Sequence, residues 1–184
     1  MVLTGSSQNY ELVGKLDNHL VSIDSTTGAI TIYQDLINYS GEDIRDLTFH
    51  KANGVYYSIL RTTNSPALVS ISQNAQYQIV GPLTLGGNQL LLVESLAYNE
   101  VNDKLYAGVS LNGGVATNDF HSETIVEVDP ATGNCTFVTE LITNRPNPDA
   151  DVIVFDGNTL YIADGAPPNQ NFQSIYQMDI TSVG

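Results

Sequence analysis

Apolar positions along this chain come in short runs with a period of two, broken every few residues by Asn, Asp, Gly or Pro. LVSIDSTTGAITIY (20 to 33), ALVSISQNAQYQIV (67 to 80) and TIVEVDPATGNCTFV (124 to 138) each read as strand, turn, strand, and SIYQMDITSVG (174 to 184) is a copy that stops at its turn. Alternation of this kind predicts half-buried strands, and the intervening polar residues predict hairpin turns. The turns Asp24-Ser-Thr-Thr-Gly28 and Asp129-Pro-Ala-Thr-Gly133 show the chemistry. Asp accepts backbone N–H bonds where the turn begins, Pro fixes φ, and Gly closes the turn at positive φ. A second kind of hairpin precedes the first: IRDLTFHKANGVYYSIL (44 to 60), VESLAYNEVNDKLYAGVS (93 to 110) and ADVIVFDGNTLYIADG (150 to 165).

One hairpin of each kind makes a four-stranded antiparallel meander, and the meander repeats. Leu47, Leu96 and Ile153 hold equivalent positions, 49 and 57 residues apart. Ile23, Ile71, Val128 and Met178 do the same, at spacings of 48, 57 and 50. The longer spacing reflects an insertion, LNGGVATNDFHS (111 to 122), between the second and third strands of its unit. A lone meander with two apolar faces cannot stay dry, so such units must stack. The predicted fold class is therefore all-β, a partial β-propeller or one of about four blades. A β-sandwich also uses strands at this spacing but does not require the repeat. The units span about 10–36, 44–83, 93–141 and 150–184, within a single propeller domain or propeller fragment over 1–184. The first lacks its innermost strand and the last its outermost. Further blades, or a homo-oligomer in which a second copy completes the propeller, would supply what is missing.

The strings LVSIDSTTGAITIY and TIVEVDPATGNCTFV resemble the Leu-Tyr-x-Ile-Asp-Pro-x-Thr-Gly hairpins of bacterial propeller repeats. DVIVFDGNTLYIADG resembles the opening pattern of blades in NHL-type, YWTD-type and gluconolactonase-like six-bladed propellers. The matched residues are turn formers and core apolars, so they identify a blade. The Trp-rich signatures of WD40 and PQQ-enzyme blades are absent, since the chain has no Trp. The gluconolactonase-like resemblance implies an axial Ca²⁺ held by acidic and amide groups, and it places Asp164 of LYIADG among them.

Charge narrows the partners. Six Lys and Arg against 20 Asp and Glu give a net charge of −14, which opposes nucleic acid and anionic membrane surfaces. No stretch of about 18 apolar residues predicts membrane insertion, and the N-terminus has neither a basic segment nor the apolar run of a signal peptide. Charged residues form only 14% of the chain, so the surface is expected to be largely uncharged and polar with carboxylates scattered across it, as in secreted and cell-surface bacterial β proteins. The expected compartment is extracellular, periplasmic or cell-surface. A single cysteine, Cys135, excludes an intramolecular disulfide and a Cys-rich zinc site.

Aligning the innermost strands puts Arg45, Glu94 and Asp151 at one register, with Asp46 and Ser95 beside the first two. If they ring a channel mouth, they form a ligand site, and Glu94, Asp151 and Asp164 are the candidate ligands of a Ca²⁺ ion, which takes six to eight oxygens. Arg45 at that level opposes a cation, and the plainer reading is solvated strand-end residues with Arg45 paired to a carboxylate. Asn144–Asp151 (NRPNPDAD) reads as an inter-blade loop, and Gly165–Ser174 offers Phe172 among amides for stacking on a sugar or peptide. His19, His50 and His121 fall at unrelated repeat positions, and neither a nucleophile elbow nor a phosphate-binding glycine motif is present. The favoured function is a non-catalytic module binding protein or glycan in a secreted or surface protein. The alternative is a Ca²⁺-dependent hydrolase or lactonase of gluconolactonase-like type.

Overall fold

In the computed structural model, residues 12–61, 65–111, 123–141, 150–164 and 174–182 are described, the side chain of Tyr33 excepted. They form four successive sheets and one short 3₁₀ turn over Ile180–Ser182. The first sheet contains β1 (Leu12–Leu16), β2 (His19–Ile23) and β3 (Ile30–Asp35). The second contains β4 (Ile44–His50), β5 (Val55–Leu60), β6 (Ala67–Ser72) and β7 (Tyr77–Pro82). After the small hairpin β8 (Thr84–Leu85) and β9 (Asn88–Gln89), the third is built on β10 (Leu92–Asn99), β11 (Lys104–Ser110), β12 (Glu123–Val128) and β13 (Asn134–Glu140). The fourth contains β14 (Val152–Asp156), β15 (Thr159–Asp164) and β16 (Ser174–Asp179). The sheets are four blades of a β-propeller.

Strand register confirms the repeat residue by residue. Leu47 pairs with Ser58 and Ser58 with Val69; Leu96 pairs with Ala107 and Ala107 with Val126; Ile153 pairs with Ile162 and Ile162 with Tyr176. The turns form as their residues dictate. Asp24 Oδ1 accepts from Thr26 N and Thr27 N, both at 2.8 Å, and Gly28 closes the turn at φ 71°. Asp129 Oδ1 accepts from Ala131 N at 2.9 Å, and Asp179 Oδ1 from Thr181 N at 2.9 Å.

Each blade lays one face on the opposite face of the next. Leu20 and Val13 of the first blade pack with Leu60, Val69, Ile71 and Tyr77 of the second. On its other side the second blade sends Tyr57, Ile59 and Leu68 against Leu96, Leu105, Val109 and Val128 of the third. The third sends Ala97, Tyr106 and Ile125 against Ile153, Leu160 and Ile162 of the fourth. These joints are the core, and burying several aliphatic side chains at each, at about 1.5–3 kcal/mol apiece, is what holds the arc together. Gly108 belongs to a close joint: a Cβ there would lie 2.6 Å from Ser95 Oγ and 2.7 Å from Ala150 Cβ.

One element was not anticipated. Gly86-Gly87, which fits no phosphate motif, is a two-residue hairpin turn with φ of 59° and 81°, joining β8 to β9. This is turn chemistry that Gly-Gly favours. β8 then pairs in parallel with β13 and widens the outer edge of the third blade.

Candidate functional site: a cleft at the innermost strands

The innermost strands carry the polar residues that the repeat places near the axis, and two of those strands are bulged. In β4, Asp46 is left out of the ladder between the pairs Arg45–Ile59 and Leu47–Ser58, at φ 50°. In β10 the irregularity falls one residue earlier, at Glu94, between the pairs Val93–Val109 and Ser95–Gly108. Arg45 and Ser95 thus share a paired position, Glu94 is a bulge residue, and Asp151 lies just before β14. The common offset of Arg45, Glu94 and Asp151 in sequence becomes three different backbone settings, because a bulge re-aims the side chain it displaces.

The Asp46 bulge joins two blades. Its Oδ2 accepts from Leu96 N at 3.1 Å, and two residues on Thr48 Oγ1 accepts from Tyr98 N at 3.0 Å. In the same manner Ser95 Oγ donates to Ala150 O at 2.6 Å, tying the third blade to the approach of the fourth. Burial pushes the Asp46 carboxyl above its ordinary value, opposed by the Leu96 N–H and by Arg45, and reinforced by Asp151.

Beside this bulge, Lys15, Ile44, Arg45, Asp46, Leu47 and Ser58 line a cleft of about 230 Å³. Lys15 Nζ donates to Tyr39 Oη at 3.0 Å and stands 4.9 Å over that ring, a cation–π arrangement that fixes the ammonium. Arg45 is half-exposed and meets Asp43 at 3.4 Å. Exposed pairs of this kind contribute at most about 1 kcal/mol, so the guanidinium can exchange its partner. Ser58 Oγ donates to Arg45 O at 2.7 Å and holds the strand that carries the guanidinium. Lys51 and Lys104 are paired on the blade flanks with Glu100 and Glu127. Lys15 and Arg45, two of the six basic residues of a chain with net charge −14, thus share one cleft.

Other candidates are placed as follows. Asp164 closes β15, buried, opposite Ser174 of β16. Among the described residues no three His, Cys, Asp or Glu side chains gather as a metal site would require. Phe172, His121 and 142–149, most of the Asn144–Asp151 connection, lie outside the described residues. His50 is buried and stacked on Tyr98, with ring centroids 4.3 Å apart, and His19 pairs with Asp35 at 2.6 Å. Cys135 is buried in β13 and its thiol is pushed up to about 12 by burial, the state of an inert structural cysteine. Sequence reasoning missed Lys15 of the first blade and Tyr39 of the connection to the second. The one legible signal, for Lys15 alone, was the scarcity of cations.

No protein-family model and no curated protein matches the chain. Solved structures do. The nidogen/laminin complex matches at 14% identity and TM-score 0.50 over 90% of this chain and 52% of that one. The extracellular domain of BT4673 of Bacteroides thetaiotaomicron matches at 12% identity and TM-score 0.52 over 95% of this chain and 20% of that one. A GH43 glycoside hydrolase engineered to display endo-xylanase and exo-arabinofuranosidase activity matches at 10% identity and TM-score 0.55 over 90% and 35%. The fold is that of propeller proteins. This chain spans about half or less of each neighbour, and the likeness extends to the fold alone. No helix among the described residues is long and apolar enough to cross a membrane.

Proposed function

We propose that the chain is a non-catalytic propeller module that binds a glycan at the innermost-strand cleft, through a carboxylate-bearing sugar. One observation carries this reading: Lys15 and Arg45 converge on a single concavity of an otherwise acidic chain. A cleft of about 230 Å³ is smaller than typical drug-sized pockets of about 300–1,000 Å³, and it suits a single sugar ring. Ile44 and Leu47 supply an apolar floor, Ser58 and Asp46 flank it, and Arg45 offers the fork that matches a carboxylate. A chain with few charged residues but a net negative charge, and with one extracellular-domain neighbour, fits an extracellular, periplasmic or cell-surface setting.

The test is calorimetric titration with a uronic-acid oligosaccharide, its neutral counterpart and an acidic peptide. Binding of the uronate that weakens with salt and drops about tenfold or more in Arg45→Ala, a loss of about 1.4 kcal/mol, is expected. Uronate binding unchanged by Arg45→Ala, or binding of the peptide alone, would overturn the reading.

A further inference from the structure

The joints between blades are all of one kind, and the two ends of the arc present the two halves of one more. The face that each blade turns to its successor has a fixed register. Leu20, Leu68, Ile125 and Ile175 are its equivalent members, and their exposures are 0%, 0%, 0% and 77%. The first three are covered by the following blade. On the fourth blade this face consists of Val152, Val154, Tyr161, Ala163, Ile175 and Gln177, which pair across β14, β15 and β16. Val152 and Val154 are 52% and 55% exposed, whereas Ala97 and Tyr106, the third-blade counterparts of Val154 and Tyr161, are buried.

The opposite face of the first blade is open around its margins, although Val21 at its centre is only 2% exposed. Leu12, Leu16, Ile30 and Ile32 stand 44–55% exposed on it, grouped around Val21 and Ile23. Their counterparts in the third blade include Leu105 and Val109, each fully buried against the second. On a chain of net charge −14, the described residues in the middle of both faces are uncharged, and the charged ones stand at the rims: His19 and Asp35 on one, Asp156 and Asp179 on the other. Two like-charged molecules can therefore meet there without opposing carboxylates. Contiguous exposed apolar faces of this kind mark interaction surfaces.

We infer that these faces bind a second copy of the chain, the fourth blade of one laid on the first blade of the other as each internal blade is laid on its neighbour. The contact is heterologous, since one surface meets a different one, and such contacts form rings when the rotation closes. The occupant follows from the repeat: the surface that fits the Ile175 face is one built like Leu105 and Val109, and the first blade carries it uncovered.

Light scattering on the whole chain tests this, with far-UV circular dichroism as the fold control. The unmodified chain should show a mass of twice 19.9 kDa. Ile175→Asp and Ile30→Asp, each at an exposed site, should both be folded monomers. Mixed together they should regain a dimer, because one retains each half of the joint. A monomeric unmodified chain at the highest workable concentration would overturn the inference, leaving these faces to other blades or another partner. So would a dimer that survives Ile175→Asp, or mixed variants that stay apart.

Discussion

Ile125 and Ile175 hold the same repeat position and differ in one respect: Ile125 is fully buried between the third and fourth blades, and Ile175 is 77% exposed. Truncating each to Ala separates burial from every other property of the site. Ile125→Ala removes three carbons from the cluster that also contains Leu160, Ile162 and Ile153. At about 0.8 kcal/mol per buried methylene the transfer loss is about 2.4 kcal/mol, and the cavity left behind brings the expected cost to about 3–4 kcal/mol. For a chain of this size that lowers Tm by roughly 6–16 °C. Ile175→Ala, measured at a dilution where chains are separate, should stay within about 0.5 kcal/mol. Urea unfolding of both variants followed by circular dichroism reads the difference directly, provided the slope with urea is unchanged. Equal losses, or the larger loss at Ile175, would refute the claim that the fourth blade covers Ile125 and is itself uncovered.

Acid should loosen the turns. Asp24, Asp129 and Asp179 are held below the ordinary carboxylate range by hydrogen bonds from their own turns: backbone N–H groups first for Asp24, and the Thr132 and Thr181 hydroxyls first for Asp129 and Asp179. Depressed folded values mean that their stabilisation is present above the unfolded pKa near 4 and is lost as pH falls through the folded values. The urea midpoint should therefore drop below about pH 4; Asp46, raised by burial, acts in the opposite sense, and a midpoint that rose on acidification would show it dominating. Gly108→Ala should cost about 1–3 kcal/mol by overpacking, because the new methyl meets Ser95 Oγ and Ala150 Cβ well inside contact distance. A neutral result in thermal melting would mean that the third and fourth blades are less closely joined than described.

Much of the architecture was legible because blade formation is local. Asp-to-Gly turns and period-two runs fix each hairpin, and the spacing of Leu47, Leu96 and Ile153 fixes the repeat, which strand pairing reproduces. The site was less legible for two physical reasons. Bulges shift side chains without changing sequence offset, so Arg45 and Glu94, aligned in sequence, take different backbone settings. The cleft also draws on Lys15 of one blade, held by Tyr39 of the connection, and on Arg45 and Ser58 of the next, and no periodicity within a strand reports which residues meet across a joint. The hairpin at Gly86-Gly87 escaped because strands of two residues are too short to show alternation.

The central claim is that successive blades pack face to opposite face in chain order. Methyl-selective nuclear Overhauser spectroscopy on the Ile and Leu side chains tests it most directly, in a dilute sample of separate chains. Cross-peaks should join Ile125 to Leu160 and Ile162, and Leu68 to Leu96 and Leu105, while Ile175 shows none to another blade. Cross-peaks from Ile175 to Leu12 or Ile30 within one chain, or none between Ile125 and the fourth blade, would contradict the account.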